Sequence, residues 1–300
     1  MTYPITLIHA SELGGTIRGD VTAVANVVAS ISQSTPEALA FYSGTDPEVA
    51  AKVPAGILLI GPEVADKIAN FAARALVIIN DPTTLFCKII ERNYANIWRP
   101  SIPDPAMAFP SAKIAAKAYL EEGVEIGERT EIFPGAVVHA PAQIGADCRI
   151  QANAVIGAVG LAYAQEGGKY APRFIHLGGV VIGANVDIGA NTTIVKGVLQ
   201  DTLIGSGTKI GNNVNIGHNV TIGKNCFISS GATLCGSVVV EDGAWLAPGT
   251  LVLNRVKIAA HSQLGIGAVV SKDTEPDGVY LGYPARRIGE RKYKKYLTTE

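Results

Sequence analysis

The sequence predicts a mainly β protein whose larger part is a parallel β-helix, preceded by a small α/β domain. Three observations carry this. From residue 202 to 271 a branched aliphatic residue stands at every sixth position: Ile204, Ile210, Ile216, Ile222, Ile228, Leu234, Val240, Leu246, Val252, Ile258, Leu264 and Val270. The same phase runs earlier through Ile114, Leu120, Ile126, Ile132, Val138, Ile144, Ile150 and Ile156, and again through Ile182, Ile188 and Ile194. Residues 1–100 lack it. A period of six fits neither the roughly 3.6 residues of a helical turn nor an unbroken alternation of two, so it marks a repeat architecture.

Each six-residue unit is expected to be a short strand plus a corner, its aliphatic side chain pointing inward. Gly205, Gly211, Gly217 and Gly223 follow the inward residue, where a sharp turn favours Gly or Asn. Three units close one triangular coil, so residues eighteen apart stack. Residues 157–181 read as a loop thrown out of a coil, and the register slips at Gly197–Asp201. Loops leaving a regular scaffold often carry function.

In the first hundred residues a helix is expected over Ile5–Leu13. Apolar runs at Val24–Ile31, Ala38–Tyr42, Gly56–Ile60 and Ala75–Ile79 read as strands, and Thr83–Glu91 as a helix. The expected domains are residues 1–100, the β-helix over 101–281 with its loop at 157–181, and a short basic tail over 282–300. Trp98–Pro110 reads as a stiff proline-rich linker. The tail concentrates Arg286, Arg287, Arg291, Lys292, Lys294 and Lys295, read as a solvated terminal helix or a patch for an acidic partner.

Three hundred residues with 48% hydrophobic content are ample for a core, and a net charge of -1 gives no nucleic-acid footprint. No secretory leader or long apolar span is visible, so a cytoplasmic protein is expected. Cys87, Cys148, Cys226 and Cys235 lack CxxC spacing and read as buried small residues, with Cys226 and Cys235 inside coils.

Of the five histidines, only His218 lies in the most regular coils, two residues after inward Ile216, at a corner that projects outward. An imidazole there is a candidate general base. One coil further on the same edge is Gly236, whose amide no side chain shields and which could hold an oxyanion. Base plus oxyanion donor is the minimum machinery of acyl transfer. His176 lies in the loop with Tyr163, Lys169, Tyr170 and Arg173, a cluster suited to phosphate or acyl groups. His9, His139 and His261 read as structural or surface residues. Nothing else among the histidines stacks on His218, so no metal is expected.

The run Ala152–Gly223, with its loop, the Ala190-Asn191-Thr192-Thr193-Ile194 segment, the slip and Gly217-His218-Asn219-Val220, resembles the UDP-3-O-acylglucosamine N-acyltransferases of lipid A synthesis. The similarity extends weakly over Leu39–Tyr42 and Val77–Pro82, and covers roughly residues 5–280. It implies a left-handed parallel β-helix and a homotrimer with active sites in clefts between subunits. It implies no bound cofactor, but a phosphopantetheine thioester of acyl carrier protein or coenzyme A as co-substrate. By this resemblance His218 takes the proton of a nucleotide-linked sugar amine and the Gly236 N–H holds the oxyanion. Phe41 and Tyr42 would lie near the uracil, and Asn219 and Arg255 are further expected substrate contacts.

The chain departs from the family pattern at several places. Gly211 replaces an Asp seven residues before the histidine, leaving Asp201 and Asn213 as candidates to orient the imidazole. Ser43–Pro47 replaces a uridine motif, Val195-Lys196-Gly197 replaces Asp-Arg-Gly, and Asn254-Arg255 stands near a second family histidine. Gly282–Arg286 looks like the close of coenzyme A-dependent sugar acetyltransferases. The rival readings are therefore an acetyl-coenzyme A-dependent N-acetyltransferase making a surface-polysaccharide sugar, and a non-catalytic β-helical sugar-binding scaffold.

Overall fold

The computed structural model describes residues 2–94, 99–284 and 286–290. The chain forms two compact units, one built from residues 1–98 with 161–177 and the other from residues 99–160 with those from 178 onward.

In the first unit six strands form one sheet: β1 (Thr2–His9), β2 (Thr16–Gly19), β3 (Val24–Ala29), β4 (Ala38–Tyr42), β5 (Ile57–Ile60) and β6 (Ala75–Ile78), in the order β1-β3-β4-β5-β6-β2. The central β3 to β6 run parallel, and β1 and β2 close the edges antiparallel. Every residue of β5 is buried, as expected of a parallel strand covered on both faces. Helices α1 (Pro47–Ala51) and α2 (Pro62–Ala65) each start on a proline, and Asp46 caps α1 by accepting from the Glu48 N–H. Helix α3 (Pro82–Tyr94) buries Phe86, Cys87 and Ile90.

The helix expected over Ile5–Leu13 is not formed. That stretch is the end of β1 followed by a 3₁₀ turn, Ala10–Glu12. Pairing of β1 with the apolar β3, through an irregularity between Pro4 and Ile8, decides the matter over local propensity.

Residues 161–177, within the loop expected to leave the coils at 157–181, group with this unit. Tyr163–Glu166 and Lys169–Arg173 form a hairpin that turns at Gly167-Gly168, both at positive φ. Phe174 then sets its ring 5.8 Å from Phe41 and 6.0 Å from Phe86. Lys88 donates to Glu166 at 2.7 Å.

The second unit is the β-helix, with three parallel sheets forming its faces. Ile216 pairs with Leu234 and Leu234 with Val252, the eighteen-residue stacking expected of three hexads per coil. The inward aliphatic residues from Leu120 to Val270 form one continuous core, together with the small residues two places before them, Cys148 and Cys226 included. Fully burying each such aliphatic side chain is worth about 1.5–3 kcal/mol. Where threonine takes the small position, as at Thr130 and Thr208, its hydroxyl donates to the carbonyls of Gly145 and Gly223 at 2.8 Å.

Both interruptions lengthen coils at the same edge. Ile144 pairs with Ile182 and Ile182 with Ile204, separations of 38 and 22 in place of 18. The first extra stretch contains the hairpin and the second is the slip at 197–201. At one end α4 (Pro105–Ala108) precedes the first coil, and Ile102 and Phe109 pack on the core. At the other, Tyr280 closes the core, its hydroxyl accepting from the Glu275 N–H at 2.7 Å. Gly278–Leu281 then turns back into an antiparallel strand, Arg286–Glu290, so a helical tail is not how the described part ends. The rest of the basic run, from Arg291, lies outside the described residues, as does Trp98 of the linker.

Candidate active site

The coil has three edges, and His218 stands on the one that follows the face carrying Ile156, Ile194, Ile216, Leu234 and Val252. His218 and Gly236 are each the second residue after an inward aliphatic, in successive coils. A Cβ on Gly236 would lie 2.6 Å from His218 Nε2 and 2.7 Å from Cε1, so the imidazole occupies the space the missing side chain leaves. Any larger residue at 236 would displace the ring.

Amides at this second corner position are often closed by a side chain from the next coil. Ser206, Asn212, Ser230 and Asp242 accept in this way from Ala184, Ala190, Asn212 and Lys224. On the histidine edge Glu121, from the preceding coil, accepts from the Ala140 N–H at 2.8 Å. The Gly236 N–H has no such cap among the described residues, so it stays available beside Nε2.

Asn219 is tied into the protein through its amide. Its Oδ1 lies 3.1 Å from His218 Nδ1 and accepts from the Val198 N–H at 3.1 Å, while its Nδ2 donates to the Gln200 carbonyl at 2.9 Å. The Asn219 N–H donates to Thr202 Oγ1, which donates in turn to the Val195 carbonyl. Neither candidate orienter contacts the imidazole. Asp201 accepts from the Gly179 N–H at 2.6 Å, and Asn213 turns the neighbouring edge. Lys196 occupies this same edge one coil before His218, its Nζ 3.4 Å from the Ala140 carbonyl. Arg255, exposed and at φ 63°, donates its backbone N–H to Gly236 O.

In the sheet unit, Phe41 and Tyr42 do not share a surface, because neighbouring residues of a strand face opposite ways. Phe41 joins Phe86, 4.6 Å between centroids, whereas Tyr42 is buried in the other layer and its hydroxyl accepts from the Asp46 N–H at 3.2 Å. A joint aromatic platform is therefore ruled out. Tyr163 lines a cleft of about 460 Å³ with Lys88, Glu91, Tyr170 and Arg173, and His176 is buried.

The sequence reading missed the pairing of His139. Its Nδ1 lies 2.8 Å from Glu121 Oε1, eighteen residues back, and the Tyr119 ring is 6.4 Å away. Subtracting one coil from 139 would have found it. Cys235 was also misplaced: it is half-exposed, while the other three cysteines are buried. It follows an inward residue instead of preceding one, so its thiol turns outward.

Known proteins share this construction. The family description "Bacterial transferase hexapeptide (six repeats)" matches residues 123–158 and 201–236. A UDP-3-O-acylglucosamine N-acyltransferase of Coxiella burnetii is 30% identical over 312 residues, covering 93% of this chain and 88% of its own. The chain belongs to the UDP-3-O-acylglucosamine N-acyltransferase family. Its relative in Polynucleobacter asymbioticus is 29% identical over 66% of each chain, so that alignment leaves about a third of the relative unmatched. Among solved structures, the UDP-N-acetylglucosamine acyltransferase of Francisella novicida superposes with a TM-score of 0.52 at 28% identity, covering 60% of this chain and 67% of its own. The N-acyltransferase family thus accounts for the hexads. Among the described residues no group of three or more His, Cys, Asp or Glu could hold a metal ion, and no helix is long and apolar enough to cross a membrane.

Proposed function

We propose that the chain transfers an acyl group from a phosphopantetheine thioester to the amine of UDP-3-O-acylglucosamine, with acyl carrier protein as donor, in the cytoplasmic steps of lipid A synthesis. The observation that carries this is His218 Nε2 standing over Gly236 with the uncapped Gly236 N–H beside it. The sugar amine attacks the thioester carbonyl carbon while Nε2 takes one of its protons. The carbonyl oxygen becomes an oxyanion that accepts from the Gly236 N–H. Collapse restores the carbonyl, breaks the carbon–sulfur bond and expels the thiolate, which the imidazolium reprotonates. The products are the amide and the free thiol, and the base is regenerated.

We propose a homotrimer, supported by the face that precedes the histidine edge. Its outward residues, among them Val137, Val155, Thr193, Thr233, Leu251 and Val269, carry no charge. The face beginning at Lys113, Glu131 and Arg149 instead shows a ladder of alternating charges. Charge depletion is what an interface core requires.

The test is thiol release by the purified protein, with product masses, comparing hydroxyacyl carrier protein against acetyl-coenzyme A over a panel of nucleotide amino sugars. Turnover with the carrier protein and UDP-3-O-acylglucosamine is expected, and His218→Ala should lower it by about 100-fold or more. Turnover with acetyl-coenzyme A alone would overturn the lipid A reading in favour of polysaccharide sugar acetylation. Silence with both donors would leave a sugar-binding scaffold.

A further inference from the structure

The sequence offers no carboxylate at Gly211 to face His218, but one faces another histidine on the same edge. Only 12% of the Glu121 side chain is exposed, and both of its oxygens are used: Oε2 accepts from the Ala140 N–H at 2.8 Å, and Oε1 lies 2.8 Å from His139 Nδ1. A carboxylate can only accept, so Nδ1 carries the hydrogen and the ring is held by its inner nitrogen. The imidazole keeps 34% of its side-chain surface in solvent. One coil further, the residue stacked on His139 is Gly157, at φ 83°, where a Cβ would lie 3.1 Å from His139 Cβ. No side chain covers the ring from that position.

Two more cations come up to the same place. Lys196 Nζ lies 3.4 Å from the Ala140 carbonyl oxygen. Arg99 Nη1 lies 3.0 Å from the point a Cβ on Gly123 would occupy, and Ala140 Cβ lies 3.7 Å from that same point. Imidazole, ammonium and guanidinium thus converge around Ala140 from three separate stretches of chain. Of the neighbouring carboxylates, Glu121 and Asp201 are each tied to a peptide N–H, and Glu122 is exposed. Several N–H donors of positive charge around one point suit the oxygens of a phosphate, where charge-assisted hydrogen bonds are strongest.

We propose that Arg99, His139 and Lys196 form a subsite for a phosphate group, with Glu121 as the positioning residue that aims the imidazole. Protonated His139 donates its Nε2–H to a phosphate oxygen while the Glu121 carboxylate balances the imidazolium from behind, and Arg99 and Lys196 supply the remaining positive charge. The pairings Val138–Ile156, Ile156–Ile194 and Ile194–Ile216 put His139 three coils before His218, about 14 Å given ~4.8 Å per coil. Lys196 spans that gap, its backbone one coil before His218 and its ammonium back at Ala140. Both substrates of the proposed transfer carry phosphate, one as the diphosphate of the nucleotide sugar and the other on the phosphopantetheine arm. That the phosphate belongs to a substrate rests on that reading; the anion site itself does not.

The test uses the full-length protein labelled with ¹⁵N-histidine and titrated with inorganic pyrophosphate, the His139 ring being assigned by its loss in His139→Ala. Pyrophosphate should shift the His139 ring resonances to saturation. Arg99→Ala and Lys196→Ala should each weaken that binding about 10-fold, the scale of one charge-assisted hydrogen bond. Arg99 is exposed, so its variant keeps the fold, and Lys196→Arg should retain binding. In steady-state assays His139→Gln and Glu121→Gln should raise one KM about 10-fold with kcat kept. A rise for the nucleotide sugar alone assigns the diphosphate, and a rise for the acyl donor alone assigns the phosphopantetheine phosphate. A His139 ring unmoved by pyrophosphate, wild-type affinity in both Arg99→Ala and Lys196→Ala, or a loss of kcat with neither KM changed would overturn the proposal. Pyrophosphate binding at His139 in a protein inactive on every acyl donor would instead strike at the proposed function and leave the subsite standing.

Discussion

The three edges of one coil are built from the same hexads and behave differently. On the two regular edges the chain turns with Asn or Gly at positive φ in coil after coil, as at Asn185, Gly207, Asn225 and Gly243, or at Asn191, Asn213, Gly231 and Gly249. Side chains of the next coil close several of the corner amides there. The third edge receives both extra stretches, and it is where His218, Lys196 and an uncapped Gly236 amide gather. A solenoid core fixes only the inward position of each unit. Insertions at a corner therefore cost the stack little, and chemistry can collect where the chain leaves and rejoins it.

The sharpest way to break this contrast is to place the same methyl group on two edges. In Gly236→Ala the new Cβ meets the His218 ring, so turnover should drop by about 100-fold or more while the melting temperature barely moves. In Gly145→Ala the Cβ would lie 2.6 Å from the Gly183 carbonyl carbon and 2.7 Å from the Ala184 nitrogen. Backbone cannot step aside as a ring can, so stability should fall by about 1–3 kcal/mol with turnover per folded molecule kept. Calorimetry and a kinetic assay on both variants decide it, and matched losses in both would erase the distinction between the edges.

A smaller contrast concerns the thiols. Burial, reinforced by the charges of Asp81 and Glu91, pushes Cys87 up to about 12, and burial also raises Cys148 and Cys226. Half-exposed Cys235, next to Gly236, should be the first alkylated by iodoacetamide in the native state, as peptide mapping would show. Prior labelling of Cys148 or Cys226 would mean that the inner small-residue positions are not closed.

The smallest effect belongs to the charged face. The hydrogen bond and then the charge of Lys113 hold the Glu131 carboxyl below its ordinary range. A carboxylate depressed on folding stabilises above its unfolded value, and that contribution is lost as pH falls through the depressed one. Glu131→Gln should therefore flatten the acid limb of the stability curve slightly and leave turnover alone. An altered turnover would show that this face is not the passive one.

Much of the active edge was readable because a solenoid turns tertiary neighbours into a fixed sequence offset. His218 and Gly236 are eighteen apart, and so are Glu121 and His139, a pair the same arithmetic reaches. The alternation of a strand separates Phe41 from Tyr42 without any structure. The slip is different: residues 197–201 have no period, so no offset announces that Val198 and Gln200 will grip Asn219. Nor does β1 announce itself, since its pairing with β3 outweighs a weak helical pattern.

The sequence by itself determined the coil, its eighteen-residue stacking and the corner on which the imidazole stands, because inward burial repeats with a period that local residues enforce. Only the tertiary structure decided what grips Asn219 beside His218, which corner amide lacks a cap among the described residues and which unit claims residues 161–177. Those outcomes depend on side chains and loops meeting across irregular stretches, where hydrogen-bond partners are set by distance in space and not by spacing along the chain.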